Sequence, residues 1–127
     1  MLQTTYIKNA VIERTFLGKE DHGILTLNLS LNYGDGSCQG FGGMTLDVYS
    51  KKEDRRIGHA YGTECLLRIL EVVGVESWEE LKGKNIRVET DSSSWDGKII
   101  AIGNILSEKW FNPGETLREI REKEKCR

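Results

Sequence analysis

The chain has 127 residues with 38% hydrophobic and 30% charged residues, a single proline and a formal net charge of −2. That length accommodates one hydrophobic core and the composition is that of a folded globular protein, so one domain over residues 1–127 is expected. The small negative charge excludes bulk nucleic-acid binding, which draws most of its affinity from a basic excess, and no apolar run approaches the roughly 20 residues of a membrane span.

The N-terminal stretch "MLQTTYIKNA" lacks a basic region followed by an apolar one, which points to the cytosol. From Tyr6 to Leu17 and from Gly23 to Tyr33 the pattern is that of strands. In the second, Leu25, Leu27, Leu29 and Leu31 alternate with Thr26, Asn28 and Ser30. "GKEDHG" and "YGDGS" read as turns, Asp-Gly favouring tight antiparallel hairpins, so three strands form a meander that ends near Tyr49.

Past the charged run "SKKEDRR", the segment "HAYGTECLLRILEVVG" places Leu66, Ile69, Leu70 and Val73 at i, i+3, i+4 and i+7. This predicts an amphipathic helix stopped by Gly74. Ser77 and Glu80 have the spacing of a capping box for a short helix that ends at Gly83, with Trp78 as a buried anchor. "KNIRVET" and "GKIIAIGNIL" predict two more strands joined by the polar hairpin loop "DSSSWDG". Asn112 and Pro113 then open a terminal helix whose only apolar residues are Leu117 and Ile120, so that it lies on the body rather than inside it. The expected fold is therefore α+β: an antiparallel sheet of about five strands with a packed central helix, a short helix and a C-terminal helix.

The glycines of "CQGFGGM" admit two readings: a bent or bulged strand, or close approach of a ligand to the backbone. They match neither a P-loop nor a dinucleotide fingerprint. Cys38, Cys65 and Cys126 form no CxxC pair and read as free thiols, and His22 and His59 lack the spacing of a metal site. No nucleophile elbow is present, so neither a cofactor nor an enzyme is expected. On the terminal helix Arg118, Arg121 and Lys125 recur at i, i+3 and i+7, a stripe that suits a phosphate. The same helix also allows ordinary pairs of Arg118 with Glu122 and Glu119 with Lys123.

The stretches "EDHGILT", "CQGFGG", "VGVESWEELKG" and "AIGNILSEKWFNP" together resemble a family of small bacteriophage proteins, the first type of Thoeris anti-defence protein, over most of the chain. The resemblance implies a protein that is not an enzyme. It implies a sponge that sequesters a cyclic ADP-ribose signal, with cyclic oligonucleotides as further ligands of some members. It also implies an antiparallel sheet with helices, a ligand held between the sheet and the C-terminal helix, a homo-oligomer, and action in the cytoplasm of the infected bacterium. Under this resemblance Asn104, Arg118 and Arg121 are the expected polar contacts, His22 joins the contact set, and Phe16, Phe41 and Trp95 compete to stack on the base. The glycines would then leave a recess bordered by Phe41. Two other readings stand beside it: a phage protein that inhibits a host protein through its terminal helix, and an enzyme that degrades a nucleotide signal.

Overall fold

In the computed structural model, which describes residues 4–20, 22–94 and 97–125, the leucine alternation becomes a strand with Leu27, Leu29 and Leu31 buried on one face. Six strands make one antiparallel sheet: β1 (Tyr6–Glu20), β2 (Ile24–Asn32), β3 (Cys38–Thr45), β6 (Asn85–Thr90), β7 (Ile99–Asn104) and β8 (Trp110–Phe111). Their order is β3-β2-β1-β6-β7-β8. A separate hairpin joins β4 (Asp47–Ser50) to β5 (Arg55–Gly58). The helices are α1 (Ala60–Val73), a 3-10 turn (Trp78–Leu81) and α2 (Pro113–Lys125).

The α+β class is as expected, but about five strands become six plus two. The third strand of the meander stops at Thr45, and the charged run after Tyr49 is itself a hairpin rather than a lead into the helix. Asp54 turns its chain at φ +52°, and Arg56 clamps Asp47 at 2.9 Å, while the same carboxylate accepts the Leu25 N–H. Such a hairpin has no apolar alternation to reveal it, because ion pairing rather than core burial holds it in register. The Arg56 hydrogen bond, helped by the Leu25 N–H, holds the Asp47 carboxyl below its usual value, against the opposing effect of burial. A carboxyl depressed in the folded state stabilises above its unfolded pKa, and the contribution is lost as pH falls through the folded value. The stability advantage of the wild type over Asp47→Asn should therefore be full at neutral pH and shrink in acid, below the usual aspartate value. Melting curves of both proteins across that range check it.

Gly74 caps α1 at φ +88°, its N–H donating to the Leu70 carbonyl at 2.9 Å. The buried stripe of α1 is Gly62, Cys65, Ile69 and Val72, with Leu66, Leu70 and Val73 only half-buried against the core. The face that meets the sheet is thus rotated toward the small residues. The capping box does not form: the Ser77 hydroxyl bonds the Glu80 carboxylate rather than a backbone N–H, because the segment is a single 3-10 turn. Trp78 is half-buried against the core rather than fully buried, and the turn ends at Leu81 with Lys82 as its C-cap, before Gly83 at φ +90°.

The sheet curls until its two ends approach. Phe41 of β3 meets Phe111 of β8 edge to face, with ring centroids 6.1 Å apart, and Gln39 Nε2 donates to the Gly97 carbonyl at 2.7 Å. Helix α1 lies across this open side and touches β3, β7 and β8. Helix α2 packs on α1 through Arg68, which donates to Thr116 Oγ1 at 3.2 Å and to the Glu119 carboxylate at 2.8 Å. Tyr61 Oη adds a bond to the Pro113 carbonyl at 3.2 Å.

Candidate functional site

The glycine-rich segment is a bulged strand, the first of its two readings. Between β2 and β3 the register slips where Leu27 faces Met44 and Asn28 faces Gly42, so Gly43 is the extra residue of a bulge. Gly42 (φ +137°) and Gly43 (φ +81°) both adopt angles that favour glycine. At Gly42 a Cβ would lie 2.6 Å from the Leu27 carbonyl oxygen and 2.8 Å from Asn28 Cα. Even alanine is therefore excluded there, a stricter demand than one of side-chain bulk. Gly40 differs: its backbone angle is ordinary and a Cβ would meet nothing within 4 Å.

This bulged edge forms one wall of a cleft of about 860 Å³, within the size range of small-molecule sites. Gln39 to Thr45 make that wall, and Lys98 to Ile100 at the start of β7 stand opposite. Tyr61 of α1 and the Asn112–Gly114 opening of α2 complete it, with Asp91 beside Lys98. The cleft is the seam of the curled sheet, where two strand edges face each other without pairing.

The chemistry of its walls suits an anion with an apolar body. Asn112 caps α2 through Oδ1, which accepts the Glu115 N–H at 3.1 Å, and Pro113 occupies the first helical position. A helix N-terminus turned to the cleft gathers partial positive charge, while the full charges of Lys98 and Asp91 in its wall offset one another. Burial, then the neighbouring Cys65, pushes the Tyr61 phenol up to about 12, so it remains a neutral hydrogen-bonding group at physiological pH. Burial also pushes the Cys65 thiol up, the opposite of what a nucleophilic thiolate requires.

The expected contact residues are divided by the fold. Phe41 lines the cleft but is 7% exposed, its ring committed to Phe111. Phe16 lies half-exposed on β1, and His22 occupies the β1–β2 turn at φ +69°; neither lines the cleft. Trp95 and Cys126 lie outside the described residues, while Cys38 is exposed and Cys65 buried as free thiols.

The Asn104 amide is engaged by the fold. Its Nδ2 donates to the Val72 carbonyl at 2.8 Å, and Oδ1 accepts the N–H groups of Leu106 and Ser107, each at 2.9 Å. The side chain thus ties the end of α1 to the turn leaving β7.

Arg118 and Arg121 are exposed on α2 and make no ion pair among the described residues. The pair expected between Glu119 and Lys123 is replaced by Glu119 with Arg68, at 2.8 Å. The two arginines follow Gly114 at i+4 and i+7, so the helix face that opens in the cleft continues through both. Helical side chains lean toward the N-terminus, here toward the cleft mouth.

Tyr61, Gln39 and Lys98 were not singled out by sequence reasoning. Tyr61 stands in the first turn of an amphipathic helix without any motif around it, and only the curl of the sheet brings Gln39 and Lys98 across from one another. Among the described residues no cluster of histidine, cysteine and carboxylate side chains has metal-ligand geometry, and no helix is long and apolar enough to cross a membrane. No protein-family model matches the chain, and neither does a curated protein or a solved structure.

Proposed function

We propose that the protein binds and sequesters a small cyclic nucleotide signal of the cyclic ADP-ribose type, holding it in the cleft at the α2 N-terminus without degrading it. The observation that carries this reading is the continuity of one α2 face from Gly114, in the cleft wall, through Arg118 and Arg121. Phosphates would sit between the helix terminus and the arginine forks, and the base and ribose against the apolar floor and the bulged edge of β3. The resemblance to the bacteriophage Thoeris anti-defence proteins supports the same assignment. Under that resemblance the protein would act in the cytoplasm of an infected bacterium.

The experiment is a titration of the protein against cyclic ADP-ribose, followed by heat denaturation and recovery of the ligand. Sequestration predicts a sharp saturation point set by the number of sites, and chemically intact ligand on release. Conversion by a small fraction of an equivalent would overturn the reading in favour of an enzyme, and no uptake would favour inhibition of a host protein.

Arg118→Ala and Arg121→Ala should each weaken binding by about 1.5–3 kcal/mol, the range for hydrogen bonds to charged groups. Both side chains are exposed, so the melting temperature should not move. In the same assay Gly40→Val should fold normally, since its Cβ meets open space, yet reduce uptake by narrowing the cleft. Undiminished affinity in the double arginine variant would move the phosphate site elsewhere.

A further inference from the structure

Among the described residues Asp91 is the single carboxylate in the wall of the cleft. It closes the base of the loop between β6 and β7. Its N–H donates to the Lys98 carbonyl at 3.0 Å, and the Lys98 N–H donates back to Asp91 Oδ1 at 2.8 Å. The residues around this pair are held as firmly. The buried Thr90 hydroxyl donates to the Ser92 carbonyl at 2.8 Å, and Gly97 packs so closely on Ser92 that a Cβ would lie 2.5 Å from the same oxygen. The Gly97 carbonyl in turn accepts Gln39 Nε2 from across the seam. The carboxylate is therefore in place before any ligand arrives, and its second oxygen has no partner among the described residues.

We propose that Asp91 is a specificity-determining residue of the cleft: its carboxylate accepts the hydroxyl hydrogens of a ribose, and so selects ribonucleotide signals over deoxyribonucleotide ones. The inference rests on the reading of the cleft as a cyclic nucleotide site and adds the orientation of the ligand within it. A phosphate is repelled by a carboxylate, so the phosphates lie away from Asp91, at the opening of α2. The sugar hydroxyls need acceptors, and the other polar side chains of the walls supply weaker ones. Gln39 spends both ends of its amide, Oε1 accepting the Tyr33 hydroxyl at 2.6 Å and Nε2 bonding Gly97. The Tyr61 hydroxyl donates to Pro113, Asn112 Oδ1 accepts the Glu115 N–H, and Lys98 only donates. The Thr45 hydroxyl is a neutral acceptor, and hydrogen bonds to an ionised one are about twice as strong. A carboxylate has about four lone-pair sites, enough for the Lys98 N–H and for two neighbouring hydroxyls of a ribose.

Calorimetric titration with cyclic ADP-ribose and with its 2′-deoxy and 2″-deoxy analogues, each lacking one hydroxyl on one of the two riboses, tests the proposal. The wild type should bind at least one deoxy analogue about tenfold or more weakly than the parent, as expected for loss of a hydrogen bond to a charged group. In Asp91→Ala that discrimination should disappear. The ratio between ligands is measured within each variant, so a loosened loop that weakened all three alike would leave it unchanged. Asp91→Asn keeps an oxygen for the Lys98 N–H and should also bind cyclic ADP-ribose more weakly, although it removes a negative charge from a site for an anion. A carboxylate that merely repelled the ligand would give the opposite sign. Tighter binding by Asp91→Asn, equal affinity of the wild type for all three ligands, or undiminished discrimination in Asp91→Ala would overturn the role of Asp91 and leave sequestration standing. Uptake of none of the three by the wild type would overturn both.

Discussion

Gly62→Ala is expected to lower the melting temperature by about 8 °C, although alanine is the better helix former. Gly62 is the third residue of α1, and in this first turn the exchange gains at most about 1 kcal/mol of helix propensity. Against that, the new Cβ would lie 2.1 Å from the Thr45 carbonyl oxygen and 2.4 Å from Leu46 Cα. Those atoms cannot retreat: the Leu46 N–H donates to the Leu25 carbonyl at 2.8 Å and its carbonyl accepts the His59 N–H at 2.8 Å. Overpacking against fixed backbone belongs at the upper end of its usual range, about 3 kcal/mol, which leaves a net loss of about 2 kcal/mol. Because Tyr61 is the adjacent residue, displacing α1 also disturbs the bond to Pro113 and the cleft wall. Thermal unfolding of the variant measures the effect, and a melting temperature above the wild type's would show that α1 sits loosely on the β3–β4 link.

Phe111→Ala should be the most damaging single truncation, costing about 3–5 kcal/mol, the range for removing a buried aromatic ring. Phe111 is 1% exposed, and its edge-to-face contact with Phe41 joins the two ends of the sheet. Loss of the ring leaves a cavity and releases the seam whose other face is the cleft. The variant should therefore lose ligand uptake at temperatures where it is still folded, whereas Phe111→Leu, which keeps more of the volume, should retain more of both. Denaturant unfolding together with ligand titration separates the two effects. Full uptake by a folded Phe111→Ala protein would uncouple the seam from the cleft.

Local signals marked much of this architecture in the sequence. The alternating leucines of β2, Gly74 after the apolar period of α1, and the Asn112-Pro113 start of α2 each satisfy a requirement met by neighbours in the chain, so they could be read without the fold. The charged hairpin β4–β5 was missed because its register rests on the Asp47–Arg56 pair, nine residues apart in sequence and without apolar periodicity. The two residues of β8 are too few for any period.

For the site the division is similar. Glycine density marks a bulge, and Gly42 and Gly43 carry the dihedral angles that such a bulge needs. The stripe of Arg118, Arg121 and Lys125 on α2 is visible from helical spacing alone, because i, i+3 and i+7 define a face whatever the helix touches. Which residues stand opposite the glycines was decided only by the curl of the sheet, which brings Gln39 to Gly97 across 58 positions of chain. Asn104 illustrates the limit most directly: in sequence it is a polar residue at the end of a strand, open to a ligand. In the folded chain the end of α1 and the turn after β7 converge on its amide, and a group whose donors and acceptors are satisfied by backbone holds the scaffold in place. Periodicity and backbone angles are local and survive in the sequence, whereas the partners of a side chain are set by long-range packing.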